Sequence, residues 1–189
     1  MNACRRIPLL AALVAACLCA LPAGASAQGP STGGASPDDP ALRPPGRAIL
    51  NDAGLAVPPP DAPPEVVKAI RAANRIASKP YRYGGGHNAS FRDRGYDCSG
   101  AVSYALHGGR LLDSPLDSSS FMRWGERGRG RWITVYTNPG HAFIVIAGLR
   151  FDTGGRDRVA RRRGRAGTGP RWAGRRSTRG YRARHPEGL

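Results

Sequence analysis

Glycine and proline limit how this chain can fold more than any other feature, because 26 glycines and 17 prolines are spread over 189 residues. These residues interrupt helices and strands and are typical of turns and linkers. Their abundance excludes a coiled coil or a helical bundle with a large core. They dominate residues 28–64, where no hydrophobic period is present, so we expect a disordered Pro/Gly-rich linker there. The remaining length has room for one small domain.

The first 27 residues predict a signal peptide. Arg5 and Arg6 precede an apolar run over residues 7–21, and the small residues Ala25-Ser26-Ala27 follow as a cleavage pattern. The run is shorter than the roughly 20 residues that cross a bilayer, and no later stretch approaches that length. We therefore expect a secreted or cell-wall protein without a transmembrane segment. Lipid anchoring at Cys17 is an alternative, because the residues before it resemble a lipoprotein cleavage site.

Removal of the signal peptide would leave Cys98 as the sole cysteine, because the other three are at positions 4, 17 and 19. A lone cysteine in an exported protein is an inert buried thiol, an intermolecular link or a nucleophile. Gly84-Gly85-Gly86 and a polar loop lead into Tyr96-Asp97-Cys98-Ser99-Gly100, which opens an apolar-periodic segment. A thiol at such a junction favours the accessible, nucleophilic interpretation.

Hydrophobic periodicity predicts two helices at the start of a domain that covers residues 65–155. The first helix is predicted over residues 65–78, where apolar side chains share one face, namely Val66, Ile70, Ala73 and Ala77. The second begins at Cys98 and ends at Gly108-Gly109. Cys98 would then lie in a first helical turn, where unpaired backbone amides and the helix dipole favour a thiolate.

The second half of this domain reads as a polar loop and an antiparallel meander. The loop is expected over residues 111–131. Three strand-like runs follow, over residues 132–137, 141–147 and 149–153. Two helices followed by such a meander predict the α+β class.

A nucleophilic thiol needs a base, and the chain holds four histidines. His141 is the best placed, because it begins a strand that can direct an imidazole at the start of a helix packed on the same sheet. His87 lies in the glycine loop, His107 at the far end of the Cys98 helix, and His185 near the C-terminus. We expect these three to be solvated surface residues.

Three separated motifs resemble the NlpC/P60 family of papain-like cysteine peptidases, which cut stem peptides of bacterial peptidoglycan. They are Pro80-Tyr81-Arg82-Tyr83-Gly84-Gly85, then Asp97-Cys98-Ser99-Gly100, then Gly140-His141 ahead of the meander. The resemblance covers about residues 65–153. It implies a papain-like fold, with N-terminal helices packed on a small antiparallel sheet. It also implies Cys98 as the nucleophile and His141 as the general base of hydrolysis through a thioester.

The same resemblance implies substrate-binding roles for three neighbours of Cys98. Tyr81 would supply a hydroxyl near the oxyanion, and Asp97 and Ser99 would hold the free amino end of the substrate. Simple packing is an alternative for Tyr81, and capping of the helix is an alternative for Asp97. The implied scissile bond joins D-glutamate to a diamino acid. No metal or other cofactor is expected, because no His, Cys or carboxylate cluster has ligand spacing.

The third catalytic residue departs from the family pattern, which often has His, Asn or Gln one strand beyond the base. A count of about twelve residues from His141, as is common in the family, gives Thr153. If the turn near Gly148 has two residues, however, His141 and Asp152 share a face of the hairpin. A three-residue turn would favour Thr153. We favour Asp152, because a carboxylate stabilises imidazolium better than a hydroxyl does.

Residues 156–189 hold most of the positive charge, with twelve arginines against Asp157 and Glu187, in a chain of net charge +16. We expect an Arg-rich C-terminal extension that binds anionic cell-wall polymers, and no nucleic acid is expected as a partner of an exported protein. One alternative is a merely solvated extension. Another is that Trp172 and Tyr181 dock the extension on the domain.

The predicted signal peptide and the resemblance together imply an exported cell-wall cysteine endopeptidase that acts on peptidoglycan stem peptides, and we expect it to be a monomer. A catalytically inactive binding module of the same fold remains open, because the third residue is unusual. An amidase or acyltransferase that uses the same Cys98 and His141 also remains open.

Overall fold

The structure is a computed structural model that describes residues 45–154 and 169–189. The predicted signal peptide, Cys17, the first part of the predicted linker and the arginine run at positions 161–163 lie outside the described residues. Among the helices that are described, none combines the length and the apolar character needed to cross a bilayer.

Two helices form the layer that carries Cys98. Helix α1 spans Pro64–Ile76 and helix α2 spans Cys98–Gly108, close to their predicted positions. Pro64 suits the first turn of α1, where a backbone N–H has no partner within the helix. The apolar faces of both helices are buried, and α2 packs against both α1 and the sheet.

The main sheet has six antiparallel strands in the order β3-β8-β4-β5-β6-β7. Their bounds are Glu126–Arg127, Ile133–Asn138, His141–Ile146, Leu149–Asp152, Arg171–Ala173 and Arg182–His185, for β3 to β8 in chain order. A separate two-stranded sheet pairs β1, Ile49–Leu50, with β2, Ala56–Val57. Helices packed on an antiparallel sheet confirm the predicted α+β class, and β4, β5 and β6 are the predicted meander.

The turn between β5 and β6 decides which residues share a face with His141. Ile146 pairs with Leu149, so Ala147 and Gly148 form a two-residue turn. Both turn residues have positive φ, 45° and 78°, as a type I′ turn requires. Glycine adopts such a φ without strain. The resulting register puts Asp152 on the face of His141, as the two-residue alternative predicted.

The loop predicted over residues 111–131 contains two short elements that were not predicted. Helix α3 spans Ser118–Phe121, and β3 follows it. The Asp117 carboxylate caps α3 by accepting the N–H of Ser120 at 2.7 Å, and Phe121 is fully buried. A single helical turn is too short to show a hydrophobic period, so no sequence signal marked it.

The linker predicted over residues 28–64 is ordered where the structure describes it, from residue 45 onward. The backbone N–H of Ala48 donates to the carbonyl oxygen of Ala147 at 2.9 Å. The side chain of Asn74 on α1 bonds both backbone groups of Ala56, at 3.0 and 2.9 Å. The expectation of disorder is therefore wrong for these residues, because partners on α1 and on the β5–β6 turn hold them.

The predicted boundary at residue 155 is also wrong, because strands from the C-terminal extension belong to the sheet. β8 lies between β3 and β4, and β7 pairs with β6. Trp172 packs on Phe151 with ring centroids 4.9 Å apart and donates to Asn74 Oδ1 at 2.7 Å. Trp172 thus docks this segment on the domain. This agrees with the alternative in which aromatic residues attach the C-terminal extension to the domain.

Candidate active site

Cys98 lies at the first position of α2 and is partly buried. The Asp97 carboxylate caps the helix by accepting the N–H of Gly100 at 2.7 Å. A Cβ at position 100 would come within 2.0 Å of the Gly85 carbonyl oxygen, so only glycine allows the glycine loop to touch this turn. The cap and the loop together hold the thiol where the helix dipole favours an anion.

His141, the first residue of β5, meets Cys98 at this helix start. The His141 imidazole and the backbone N–H of Ala142 both stabilise the ionised form of Cys98. Burial of the sulfur opposes its ionisation, but these two groups outweigh burial and lower the pKa of Cys98 below its ordinary value. The sequence-predicted nucleophile and base are therefore in contact.

Asp152, the last residue of β6, contacts the other side of the same imidazole. Nε2 of His141 lies 2.8 Å from Asp152 Oδ1. Because Nε2 is engaged by the carboxylate, Nδ1 is the nitrogen left for the thiol. Thr153, the alternative third residue, is buried just beyond the end of β6. The structure thus brings Asp152 to the ring.

Cys98, His141 and Asp152 stabilise one another's charged forms. Burial of the His141 ring disfavours its charged form, but the hydrogen bonds with Asp152 and Cys98 prevail and raise the pKa of His141 to about 9. Burial likewise disfavours ionised Asp152, yet His141, the N–H of Gly154 and Arg176 lower the pKa of Asp152 to about 2. At neutral pH His141 is therefore an imidazolium beside the Asp152 carboxylate, and its charge favours the thiolate form of Cys98.

The other three predicted site residues lie beside Cys98. Tyr81 is 40% exposed. Partial burial and the nearby Cys98 and Asp97 raise the pKa of Tyr81, so its hydroxyl stays protonated and can donate. The Ser99 hydroxyl donates to Asp97 Oδ1 at 3.3 Å. The capping alternative for Asp97 is what the geometry shows, and its second oxygen also accepts the N–H of Gly84 at 3.0 Å.

His87 was expected at the solvated surface, and the structure corrects this. Its Nε2 lies 2.9 Å from Asp97 Oδ1 and 3.3 Å from the Ser99 hydroxyl. The hydrogen bond with Asp97 raises the pKa of His87, although burial opposes that shift. The error arose because the glycine loop folds back on α2, a contact that local sequence does not reveal.

The two remaining histidines lie away from this cluster. His107 is exposed, as predicted, and its ring stacks on Phe91 with centroids 3.9 Å apart. His185 on β8 is half-buried, with Nε2 3.7 Å from a Glu126 carboxylate oxygen.

Two arginines in the site were missed entirely. Arg150 and Arg176 both donate to Asp152 Oδ2, the latter at 2.8 Å. Arg150 carried one available signal, since it lies two residues before Asp152 on the same strand and so shares its face. Arg176 carried none, because it read as one charge in an arginine-rich run.

Comparisons with known proteins add structural neighbours but no relative by sequence. No protein-family model and no curated protein sequence matches the chain. The structure of the peptidoglycan hydrolase RipB from Mycobacterium tuberculosis is 21% identical with a TM-score of 0.47, over 64% of this chain and 64% of that one. This chain therefore spans less than two thirds of the RipB chain.

A second solved structure is that of RipA, a resuscitation promoting factor interacting protein, in a mutated form. It is 22% identical with a TM-score of 0.46, over 77% of this chain and 71% of that one. Similarity at this level identifies neither an activity nor a substrate for this chain.

Proposed function

We propose that this chain is a cysteine hydrolase that cleaves an amide bond in peptidoglycan stem peptides. The observation that carries the proposal is that one imidazole serves two groups: His141 Nε2 lies 2.8 Å from Asp152 Oδ1, and the same ring stabilises the thiolate of Cys98 at the start of α2. Nucleophile, base and orienting carboxylate in that order are the arrangement that activates a side chain for acyl transfer.

The chemistry follows from the charges of the three groups. The Cys98 thiolate attacks the amide carbonyl carbon, and the first backbone amides of α2 and the Tyr81 hydroxyl stabilise the oxyanion. His141 transfers its Nδ1 proton to the leaving amine, and the C–N bond breaks to leave a thioester on Cys98. Neutral His141 then takes a proton from water, which attacks the thioester and releases the acid and the thiolate. Asp152 stays ionised throughout.

The substrate class rests on the three motifs that resemble the NlpC/P60 family. By that resemblance the bond joins D-glutamate to a diamino acid, and Asp97 and Ser99 hold the substrate's free amino end. Export by the predicted signal peptide would bring the enzyme to the cell wall. Exposed C-terminal arginines, Arg179 and Arg182, would attract the protein to anionic wall polymers.

Defined muropeptides test this proposal. The purified protein is incubated with them, and the products are identified by mass spectrometry beside Cys98→Ala and His141→Gln variants. We expect cleavage at the D-glutamyl bond by the wild-type protein and no product above background from either variant. The variants should keep the wild-type thermal unfolding midpoint within a few degrees, since neither change removes a large buried side chain.

Other outcomes would assign a different function. Cys98-dependent release of the whole stem peptide from the lactyl group would identify an amidase. Muropeptide binding without any product would identify a binding module and overturn the proposed hydrolysis.

A further inference from the structure

The segment between β7 and β8, residues 174–181, reaches the candidate active site. We propose that Arg176 on this segment is a positioning residue, which holds the Asp152 carboxylate against His141. The inference rests on the proposed function, because positioning of Asp152 matters for turnover only if Cys98, His141 and Asp152 act together.

Arg176 is itself held firmly in place. Its Nη1 donates to Asp152 Oδ2 at 2.8 Å, and its Nη2 donates to the Tyr181 hydroxyl at 3.1 Å. Its guanidinium carbon lies 5.0 Å from the centre of the Phe143 ring and 5.4 Å from that of Tyr181. Two hydrogen bonds and two aromatic rings therefore orient one planar group, as guanidinium geometry allows and an ammonium does not.

The aromatic rings around Arg176 also border the base. The Tyr181 ring meets the Phe143 ring edge-on with centroids 5.1 Å apart, and it meets the His141 ring edge-on at 6.3 Å. Tyr181 is thus the residue through which the C-terminal segment touches the imidazole.

Arg150 fastens the same segment a second time. Its Nε donates to the carbonyl oxygen of Gly174 at 2.6 Å, and its Nη1 donates to Asp152 Oδ2. One end of residues 174–181 is therefore tied to Arg150 and a later point to Asp152 itself.

The four donors to Asp152 divide between its two oxygens. Oδ1 accepts from His141 Nε2 and from the N–H of Gly154, both at 2.8 Å, while Oδ2 accepts from Arg150 and Arg176. With Oδ2 saturated by two guanidiniums, the carboxylate cannot rotate away from the ring. Arg176 therefore acts on the imidazole through Asp152.

Arg176 also changes the electrostatics of the base. The charged and titratable groups around His141 are Cys98 from α2, Asp152 and Arg150 from β6, and Arg176 and Tyr181 from the C-terminal segment. The two guanidiniums oppose a proton on His141, whereas the thiolate and the carboxylate favour it. Because Arg150 still donates to Asp152 Oδ2 and keeps the carboxylate near the ring, removal of the Arg176 charge should make the imidazolium harder to deprotonate.

The decisive variant is Arg176→Gln in the full chain, with Arg175→Gln as the matched control. Arg175 is an exposed arginine of the same segment, so its variant has the same net charge. We expect Arg176→Gln to lower kcat about tenfold with KM within about twofold of the wild type. The pH at which the His141 ring titrates, followed by NMR and assigned with His141→Gln, should rise by several tenths, while the control changes neither quantity.

Arg176→Lys separates the charge from the geometry. A lysine keeps the positive charge but cannot hold Asp152 and the Tyr181 hydroxyl with one planar fork. We expect the His141 titration of this variant to match the wild type while kcat stays several-fold lower. Because the charge is retained, this variant also keeps the test decisive if Arg176→Gln is poorly folded.

The experiments distinguish a failure of the positioning role of Arg176 from a failure of the proposed function. Wild-type kcat and wild-type His141 titration in Arg176→Gln would overturn the positioning role while Cys98-dependent turnover of the wild-type protein still stood. A wild-type protein without Cys98-dependent turnover would overturn the proposed function. The His141 titration would then still show whether Arg176 acts on the imidazole.

Discussion

At the scale of single residues, the protonation state of His141 decides when the proposed site can act. The reactive form needs Cys98 as thiolate and His141 as imidazolium. Their contact lowers the pKa of Cys98 and, with help from Asp152, raises the pKa of His141 to about 9. His141 is therefore charged at neutral pH, and the charge of each group favours the ionised form of the other.

The pH dependence of kcat/KM follows from these shifts. Activity should fall as the pH drops through the lowered pKa of Cys98, because the thiolate is protonated. It should also fall as the pH rises through about 9, because His141 loses the proton that it gives to the leaving amine. Initial rates at low substrate concentration over pH 4 to pH 11 measure both limbs.

Asp152→Asn is the control for the alkaline limb. Without the carboxylate the limb should move from about 9 towards the ordinary histidine value of 6.5, and kcat should fall about 10²-fold or more. An alkaline limb that stays near pH 9 in this variant would contradict the role given to Asp152.

Gly154 is a second residue on which the geometry of the site depends. A Cβ at this position would lie 3.1 Å from Arg176 Nη1, 3.2 Å from His141 Nε2 and 3.3 Å from Asp152 Oδ1. Such a methyl group would push these three polar groups apart by a few tenths of an ångström. We expect Gly154→Ala to lower kcat/KM about tenfold by misaligning the imidazole.

Gly174→Ala provides the matched control, since a Cβ at position 174 would meet nothing within 4 Å. It should retain wild-type kinetics. Equal kinetics for both alanine variants would show that the packing at Gly154 does not limit turnover.

At the scale of elements, the start of α2 depends on one buried carboxylate. Asp97 accepts the N–H groups of Gly100 and Gly84 and interacts with His87 and Ser99. Asp117, by comparison, caps α3 from an exposed position through Ser120. Both aspartates precede the first residue of a helix and cap it, but Asp97 is buried whereas Asp117 is exposed.

The two caps should therefore differ in energy. Asp117→Ala should lower the free energy of unfolding by about 1 kcal/mol, as loss of a cap does. Asp97→Ala should cost about 1–3 kcal/mol more, because it leaves buried donors without an acceptor. Urea unfolding of both variants measures the difference, and equal costs would contradict the buried network.

Asp97 also acts on the thiol, because its negative charge opposes ionisation of the adjacent Cys98. Asp97→Asn keeps an acceptor for the helix start and removes the charge. Its Cys98 should therefore react with iodoacetamide at lower pH than the wild type does, and a profile that moves to higher pH would contradict this reasoning.

At the scale of the whole molecule, the C-terminal residues complete the domain. The described residues fall within one compact unit, which spans Pro40–Leu189. Trp172 is only 6% exposed, although it lies in a segment whose composition suggested a free polycation. The sheet order puts β8 beside β4 and β7 beside β6, so the sheet continues on both sides of the meander that carries His141 and Asp152.

Substitution of Trp172 measures this contribution. Trp172→Ala removes a buried ring and a hydrogen bond to Asn74, so it should lower the free energy of unfolding by about 3–5 kcal/mol. Tyr83→Ala is the control, because Tyr83 is 90% exposed and should change stability by less than about 0.5 kcal/mol. A similarly small effect of Trp172→Ala would mean that the C-terminal segment does not stabilise the domain.

Local patterns in the sequence were enough to predict the elements that position Cys98 and His141. Apolar residues at helical spacing marked α1 and α2, and turn residues marked the meander. The parity of a two-residue turn even selected Asp152 over Thr153 as the residue that faces His141. These features depend on residues close together in the chain, so they can be derived from it. The catalytic roles of these residues remain proposals.

Tertiary structure alone decided which distant segments reach the site. Arg176 contacts Asp152, Trp172 contacts α1, and His87 contacts Asp97, although none of these pairs shares a recognisable local pattern. β7 and β8 are short strands within an arginine-rich stretch, and their charge concealed their pairing. Periodicity and turn chemistry report how a residue relates to its neighbours in the chain, whereas strand order and ion pairing depend on the packing of the whole domain.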